Sequence, residues 1–401
     1  MRSKGIFCLT LLLLCAIGTA VPAMAQRDAA CNAFSRTLSV NWPQFGFTSC
    51  GARSNPNEFI LSPNTVKNLE VKWQYVIRSY AGGASPAVMN GVLYVDAYSQ
   101  NEGVDYLYAL DANSGAQLWY QPKGKQSTSS PAVANGMVFI GDLDNNLYAF
   151  DARTGAPAWK FTTGNTVWGS PTVANGVVYI TSSDGTTHAL DAASGTQLWA
   201  HGGGGLFVSG TPAVAGSTVY TTSDSGGVGL YALDAQTGAL RWSLNQNSMQ
   251  TGSPAVANSI VYAGMDDGSL YALAAGTGAI RWTSPFLGRS MRGVAVGNGL
   301  VYVGATDGNN NPALYGINAS TGAIVWKFLT GGIGVNASSP TYANGVVYMP
   351  GGVGIYALDA NTGAVLWQDL GPANPGASPV VVNGVLYING TGPTAYHLPA
   401  Q

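Results

Sequence analysis

Charge is what this chain has least of. Lys, Arg, Asp and Glu make up 9% of its 401 residues and the net charge is −2, where ordinary soluble proteins carry about 25% charged residues. So weak a field excludes nucleic acid and anionic membrane surfaces as partners. Histidine is nearly missing too. His188, His201 and His397 are far apart in the chain, and no histidine metal site can be assembled from them. Glutamate occurs only as Glu58, Glu70 and Glu102. No stretch reaches the ~20 apolar residues of a membrane-spanning helix. The longest, Ile6 to Ala20, is preceded by Arg2 and Lys4 and followed by Ala23-Met24-Ala25. That order of positive, apolar and small residues reads as a secretory signal over residues 1–25, cleaved before Gln26, and places the mature chain in the periplasm or outside the cell. Leu14 ahead of Cys15 is not the small residue that a lipid-attachment site needs. Of four cysteines, Cys8 and Cys15 leave with the signal. Cys31 and Cys50 are then expected to pair in an oxidising compartment, closing an N-terminal arm (26–69) with about 3 kcal/mol of stabilisation. Catalytic punctuation is also lacking. No nucleophile elbow or Ser-His-Asp order stands out, and Gly202 to Gly205 do not lie between a strand and a helix as a phosphate loop would.

What the chain has instead is glycine, 54 residues of it, and a repeat. SSPAVANGMVFIGDLDNNLYAFDARTGAPAW ends at Trp159, and SPTVANGVVYITSSDGTTHALDAASGTQLW ends at Trp199. A Ser-Pro or Thr-Pro step recurs at Pro86, Pro131, Pro171, Pro212, Pro254, Pro340 and Pro379, and Met291-Arg292-Gly293 opens an eighth copy without proline. The spacings of 39 to 47 residues match one four-stranded propeller blade each. Within a repeat, a small apolar strand ends at Asn-Gly, a pair suited to a type I′ hairpin. An apolar second strand, a polar turn and a YALDA-like third strand follow. The Asp closing that third strand (Asp111, Asp151, Asp191, Asp234, Asp359) is expected to cap the next turn. A fourth strand carries a tryptophan: Trp119, Trp159, Trp199, Trp242, Trp282, Trp326 and Trp367. The eighth, Trp73, precedes the first repeat, while the last repeat ends without one. The fold class expected is therefore all-β, an eight-bladed propeller over 70–401, closed by the strand around Trp73 so that no sheet edge is left open at the seam.

This pattern, AxxGxLYALDAxTGxxxW, resembles the tryptophan-docking repeat of PQQ-like propellers, the superfamily that holds quinoprotein alcohol dehydrogenases and BamB-like proteins. Asn41-Trp42-Pro43-Gln44-Phe45-Gly46 and the stretch Ser62 to Leu69 resemble the lead-in of the dehydrogenases. Membership on the enzyme side would imply PQQ over the axis with calcium and a carboxylate base. Calcium asks for six to eight oxygen ligands, yet loops 120–130, 160–170, 200–210, 243–253, 283–292 and 327–339 contain no acid. The adjacent cysteines of the dehydrogenases, a CxxCH haem site and long roofing insertions are also missing. Asp142, Asp144, Asp184, Asp224, Asp266, Asp267 and Asp307 fall in second-to-third-strand turns, where turn formation accounts for them.

A binding site should show where the repeat is broken. Arg289 and Arg292 stand at the entry of the sixth repeat, where a cation can hold a carboxylate. Trp168 lies outside the docking position and can stack on a planar ligand. Lys125, Gln126, Phe207, Met249, Gln250 and Asn336 occupy equivalent entries, giving a polar, mildly basic funnel. The leading reading is a monomeric, non-catalytic binding or assembly scaffold without cofactor, docking a protein partner by its loop faces. A PQQ- and calcium-dependent dehydrogenase is the first alternative, and a propeller holding a carbohydrate or other small ligand in the axial funnel the second.

Overall fold

A computed structural model describes residues 41–77, 83–99, 101–202, 210–222, 228–245, 252–265, 267–289, 291–331, 338–351, 354–371 and 376–400. Its strands form eight sheets around one axis, antiparallel except where the short arm strand Ser54–Asn55 pairs parallel with Thr341–Ala343. Blade 1 is built from Ala87–Met89, Val92–Ser99, Val104–Asp111 and Gln117–Lys123, each paired with the next. Blades 2 to 7 repeat the order, opening at Ala132–Ala134, Thr172–Ala174, Ala213–Ala215, Ala255–Ala257, Val294–Gly297 and Thr341–Ala343. Blade 8 takes three strands from the C-terminus, Val380–Val382, Val385–Asn389 and Pro393–His397, and its outer strand, Glu70–Gln74, from the N-terminal side. Glu70 lies opposite His397 and Trp73 opposite Ala395, so the ring closes as the lone Trp73 implied.

The hairpin residues adopt the conformations their identities suggest. Asn135 and Gly136 have φ of 52° and 76°, the left-handed pair that a type I′ turn requires. Blade 5 makes the same turn with Asn258 and Ser259, φ 50° and 60°, a strained choice for serine. The third-strand aspartates cap their turns. Asp151 Oδ1 accepts the backbone N–H groups of Arg153 and Thr154 and the Thr154 hydroxyl, and these bonds hold its carboxyl below the usual range.

Blades are joined by the tryptophans. Trp119 Nε1 donates to Ala152 O of the next blade at 3.1 Å, and Tyr94 Oη donates to the same carbonyl at 3.0 Å. The pair recurs as Trp199 with Tyr179 on Ala235, Trp242 with Tyr220 on Ala275, and Trp73 with Tyr387 on Ala112 across the seam. Each ring also lies flat on a turn glycine. A Cβ on Gly155 would sit 2.7 Å from Trp119, so glycine there serves both a φ of 74° and the stacking. Trp159, Trp282, Trp326 and Trp367 bond to Ala192, Ala319, Ala360 and Leu69. In the last case the arm stands in for a turn. Between blades the packing is apolar and built of Val, Leu, Ala and Tyr.

The arm is more than a lead-in. From Trp42 to Asn55 it runs around the axis and meets the innermost strand of every blade in turn. Trp42 pairs both ways with Val88, at 2.7 and 2.8 Å. Pro43 O, Gln44 Oε1, Ser49 O, Cys50 O, Ala52 O and Arg53 O then accept the N–H groups of Val133, Val173, Val214, Val256, Val296 and Tyr342. Asn55 Nδ2 finishes the circuit on Val381 O. Innermost strands have a free edge facing the axis, and buried N–H groups there need acceptors. The arm supplies them. Cys50 is buried here; its expected partner Cys31, like the signal segment, lies outside the described residues.

Candidate functional site

At the centre of the circuit sits Arg53, fully buried. Its guanidinium donates to Pro340 O at 3.0 Å, to Thr341 Oγ1 at 2.9 Å, to Pro379 O at 2.7 Å and to Phe45 O. The Phe45 ring covers it, 4.5 Å from the guanidinium carbon, with Trp42 at 5.6 Å. Burial pulls its pKa down to about 9, which leaves it charged at neutral pH. Phe45 lines the axial cavity, and Arg53 lies buried against its ring. Nothing in the repeat pattern points to Arg53, because it belongs to the arm.

Above Phe45 lies a cavity of about 180 Å³ lined by Thr128, Trp168, Arg292 and a set of serine and threonine residues. These hydroxyls come from one position per blade, the residue ahead of the repeat's proline. The N–H of Ser85 donates to Ser130 Oγ at 2.9 Å, Ser130 to Ser170 at 2.9 Å, Ser170 to Thr211 at 3.1 Å and Thr211 to Ser253 at 2.9 Å. Across the seam, Ser339 donates to Ser378 at 2.7 Å and Ser378 to Ser85 at 3.0 Å. The result is a belt of hydroxyls around the axis, each tying one blade to its neighbour. The serine of the Ser-Pro step is thus an axial residue, whereas the sequence pattern marked only the start of a strand.

The belt is broken at one place. Blade 6 carries Arg292, and the Ser253 N–H goes to the Arg292 backbone carbonyl at 2.5 Å. Gly293 in place of proline matters locally, since a Cβ there would meet Ser339 Oγ at 2.6 Å. The Arg292 guanidinium remains accessible, yet desolvation by the surrounding wall lowers its pKa. Trp168 is half-buried on the same wall. The structure therefore brings Arg292 and Trp168 together, with Phe45 as a third, unexpected wall. It does not bring Arg289 and Lys125 into that wall. Arg289 is exposed and held by two backbone bonds to Thr306 at 2.9 Å. Lys125 is exposed, and its backbone N–H goes to Asp142 Oδ1 at 2.7 Å. Gln250 and Asn336, with Phe207 and Met249, lie outside the described residues.

A second polar cluster was not foreseen at all. Lys123 Nζ contacts Asp96 Oδ1 at 3.0 Å, Asp105 Oδ2 at 2.7 Å and Asp142 Oδ2 at 2.9 Å, and all four side chains have no exposure. Three carboxyls share one ammonium. Burial raises the pKa of Asp96 strongly and that of Asp105 less, and lifts Asp142 to about 6 against the pull of Lys123. Burial alone would lower Lys123, but the three carboxylates raise it. The cluster ties three strands of blade 1 to the turn after Met137–Gly141 of blade 2. It offers no cation site, since its centre is an ammonium, and among the described residues no group of three or more His, Cys, Asp or Glu is placed to hold a metal ion. Asp144, Asp184, Asp267 and Asp307 stay in separate turns, where they accept local N–H groups, as turn formers should. No described helix is long and apolar enough to cross a membrane.

Comparison with known proteins places this geometry. The family model described as "Outer membrane protein assembly factor BamB" matches residues 103–265 and 266–397. A curated relative, 1-butanol dehydrogenase (cytochrome c) of Thauera butanivorans, is 36% identical over 118 residues, which are 26% of this chain and only 16% of that protein. Among solved structures, quinohemoprotein alcohol dehydrogenase from Comamonas testosteroni superposes with a TM-score of 0.76 at 16% identity, covering 94% of this chain and 85% of that one. BamB from Moraxella catarrhalis superposes with a TM-score of 0.68 at 18% identity, covering 83% and 98%. An enzyme and an assembly factor fit the same backbone about equally well. The shared fold therefore does not choose between them.

Proposed function

This chain belongs to the family described as outer membrane protein assembly factor BamB, and from that premise we propose that it is an exported, non-catalytic binding propeller. It docks a partner by its loop faces and holds a small group of that partner, or a free ligand, in the axial funnel. The observation that carries this reading is the funnel's lining. Among the described residues, seven hydroxyl residues, two aromatic rings and one arginine face the cavity, and no carboxylate does. The carboxyls of the described turns are committed elsewhere, to backbone N–H groups or to Lys123.

The residues present fit one half of a quinone site. A planar acid such as PQQ would find Arg292 for a carboxylate and Trp168 for its face. The metal half does not fit, because calcium asks for six to eight oxygens with carboxylates among them. No catalytic step is derived through the cofactor. Export is supported by the basic, apolar and small residues of 1–25 and fits a family described as an outer membrane assembly factor. A Cys31–Cys50 bridge would tie the chain ahead of Trp42 to the part of the circuit where Cys50 O accepts the Val256 N–H.

The 36% identity to part of a butanol dehydrogenase favours a second reading, a reduced quinoprotein dehydrogenase. Reconstitution of purified residues 26–401 with PQQ and calcium, followed by dye reduction with primary alcohols, separates the two. The binding propeller gives no turnover above background. Alcohol-dependent dye reduction that disappears on calcium removal would make the protein an oxidoreductase.

A further inference from the structure

We propose that the outer rim between blades 8 and 1 is a docking site for a proline-rich segment of a partner protein, bound in the polyproline II conformation. This surface lies outside the axial cavity, so it stands or falls independently of the funnel. Four tyrosines build it. Tyr106 and Tyr108 are two apart on the third strand of blade 1 and therefore share a face. Tyr120 lies opposite Tyr108, and Pro122 opposite Tyr106. Tyr75 meets them from blade 8, just beyond its outer strand. Ring centroids are 6.2 Å apart for Tyr75 and Tyr108, 5.7 Å for Tyr108 and Tyr120, and 5.8 Å for Tyr120 and Tyr106. Tyr75 and Tyr108 rest on the core between the two blades, whereas Tyr120 is 50% exposed. The repeat does not ask for this. Where blade 1 has Tyr106 and Tyr120, blade 2 has Asn146 and Lys160, and no other blade has an aromatic residue at either position.

A ladder of rings with hydroxyl tips recognises a chain by its apolar rings and its carbonyls. A polyproline II chain supplies both, because it has no internal hydrogen bonds and its prolines carry no N–H. It advances about 6 Å for every two residues, the spacing of the tyrosine rings, so alternate residues can settle between successive rings, as in other aromatic-lined grooves. The polar groups of the rim favour the same ligand. Tyr75 Oη donates to Gln117 Oε1 and Tyr106 Oη to Glu102 Oε2, both at 2.6 Å. Among the described residues no acceptor takes the protons of Tyr108 and Tyr120. Burial, with Tyr75, Tyr106 and Tyr120 close by, pushes Tyr108 up to about 12, so it remains a donor at neutral pH. The free functions are thus donors, and a chain that offers mainly acceptors answers them. A saccharide brings a donor with every hydroxyl, to a surface whose amide and carboxylate already hold tyrosine protons. Charge adds a direction. Glu102 is exposed at the Tyr106 end of the ladder, where a basic residue flanking the prolines would pair with it.

Fluorescence anisotropy with the full mature chain tests the site. The probe is a labelled octaproline peptide ending in arginine, and the control is a Gly-Ser peptide of equal length with the same arginine. The octaproline should bind roughly tenfold or more tightly, because it is already extended while the control has to be ordered. Tyr120→Ala should weaken the octaproline by roughly tenfold and keep a melting temperature close to wild type, since the ring is half exposed. Tyr120→Phe keeps the ring and loses the donor, and should weaken binding by a few-fold. Lys160→Ala, at the equivalent position of blade 2, should leave binding unchanged. The inference is wrong if the octaproline does not bind, if the Gly-Ser control binds equally well, or if Tyr120→Ala binds as tightly as wild type. Calorimetric titration with maltohexaose covers the remaining outcome. Maltohexaose binding that is lost in Tyr120→Ala, with no binding of the octaproline, would overturn the inference and make the rim a saccharide site.

Discussion

Lys123→Met is the perturbation whose outcome the structure constrains most. The lysine is the sole cation among Asp96, Asp105 and Asp142, at 3.0, 2.7 and 2.9 Å, with no solvent contact. At the effective dielectric that suits such sites, a charge pair 3 Å apart attracts by about 5 kcal/mol before desolvation is counted. Removing one partner of a buried pair typically costs about 3–5 kcal/mol. Methionine fills similar space, so the loss should come from charge and not from a cavity. The remaining carboxyls can stay buried only by taking up protons. Holding one buried carboxyl neutral at pH 7, about three units above its unfolded pKa, costs about 4 kcal/mol. At pH 4 the same group is already half protonated in the unfolded chain, and most of that cost disappears. The sign follows from folded pKa values raised above the unfolded ones: stability is present below about pH 4 and is lost as pH rises. Urea unfolding at pH 4, 5, 6 and 7 should therefore show a variant about 4 kcal/mol or more below wild type at pH 7 and close to it at pH 4. On the specific entropy of unfolding for a propeller of this size, about 4 kcal/mol corresponds to roughly 5 °C in melting temperature. Adding Asp96→Asn should recover part of the neutral-pH loss. An equal deficit at all four pH values would refute the reasoning, because it would mean that Lys123 is held by packing and not by the carboxyls.

Other expectations are shorter. In the wild type, Asp142, lifted to about 6, should make stability fall as pH rises from about 4 to about 6, whereas the capping Asp234, held at about 2, loses its contribution only as pH falls below about 4; a pH–stability curve with no decline between 4 and 6 would contradict the first. Gly155→Ala should cost well over the ~1 kcal/mol of a positive-φ glycine, because its Cβ would enter the Trp119 ring, while Gly136→Ala, with open space around it, should cost only that backbone penalty; chemical denaturation of the pair decides it. Arg53→Met should destabilise by about 2 kcal/mol or more, as Pro340 O loses its buried donor at about 1–3 kcal/mol, while Pro379 O keeps the Thr341 hydroxyl. Trp159→Ala should cost about 3–5 kcal/mol, and the axial funnel should still bind its ligand if docking and recognition are separate.

Nearly all of the ring was legible in the sequence because each blade repeats the same solution to the same problem. Asn-Gly, the capping Asp, the turn glycine and the docking Trp are local requirements, and eight copies make them visible. The missing eighth tryptophan even located the closure at Trp73. What stayed hidden arises from contacts between distant segments. Arg53 looks like any arm residue until Pro340 and Pro379 are brought to it. Lys123, Asp96, Asp105 and Asp142 lie in three strands and a turn whose ends meet only after blades 1 and 2 pack. Arg289 and Arg292 are three residues apart and looked alike as sequence, but a backbone bridge to Thr306 holds Arg289 outside the cavity wall that Arg292 enters.

The contrast between blade 6 and the others carries the functional argument further than the fold does. In the regular belt, a serine or threonine performs two tasks at one position: it accepts a neighbour's N–H, and it presents a proton to the axis. A mutation there to a residue without a hydroxyl would orphan a buried N–H at about 1–3 kcal/mol. Blade 6 has given up the serine and avoided that penalty, since the Ser253 N–H finds the Arg292 carbonyl instead. With the backbone bond preserved by a carbonyl, the side chain at this position need not supply the hydroxyl that the other blades use. A long cation then projects at the one belt position where no hydroxyl is needed to join two blades. Gly or Ala would leave the same carbonyl in place, so the belt itself does not require an arginine there. Its place in the cavity wall gives a ligand-facing reason for it, and the proposed funnel site predicts that Arg292→Ala weakens binding of an axial ligand in calorimetric titration while the Ser253 N–H keeps its carbonyl.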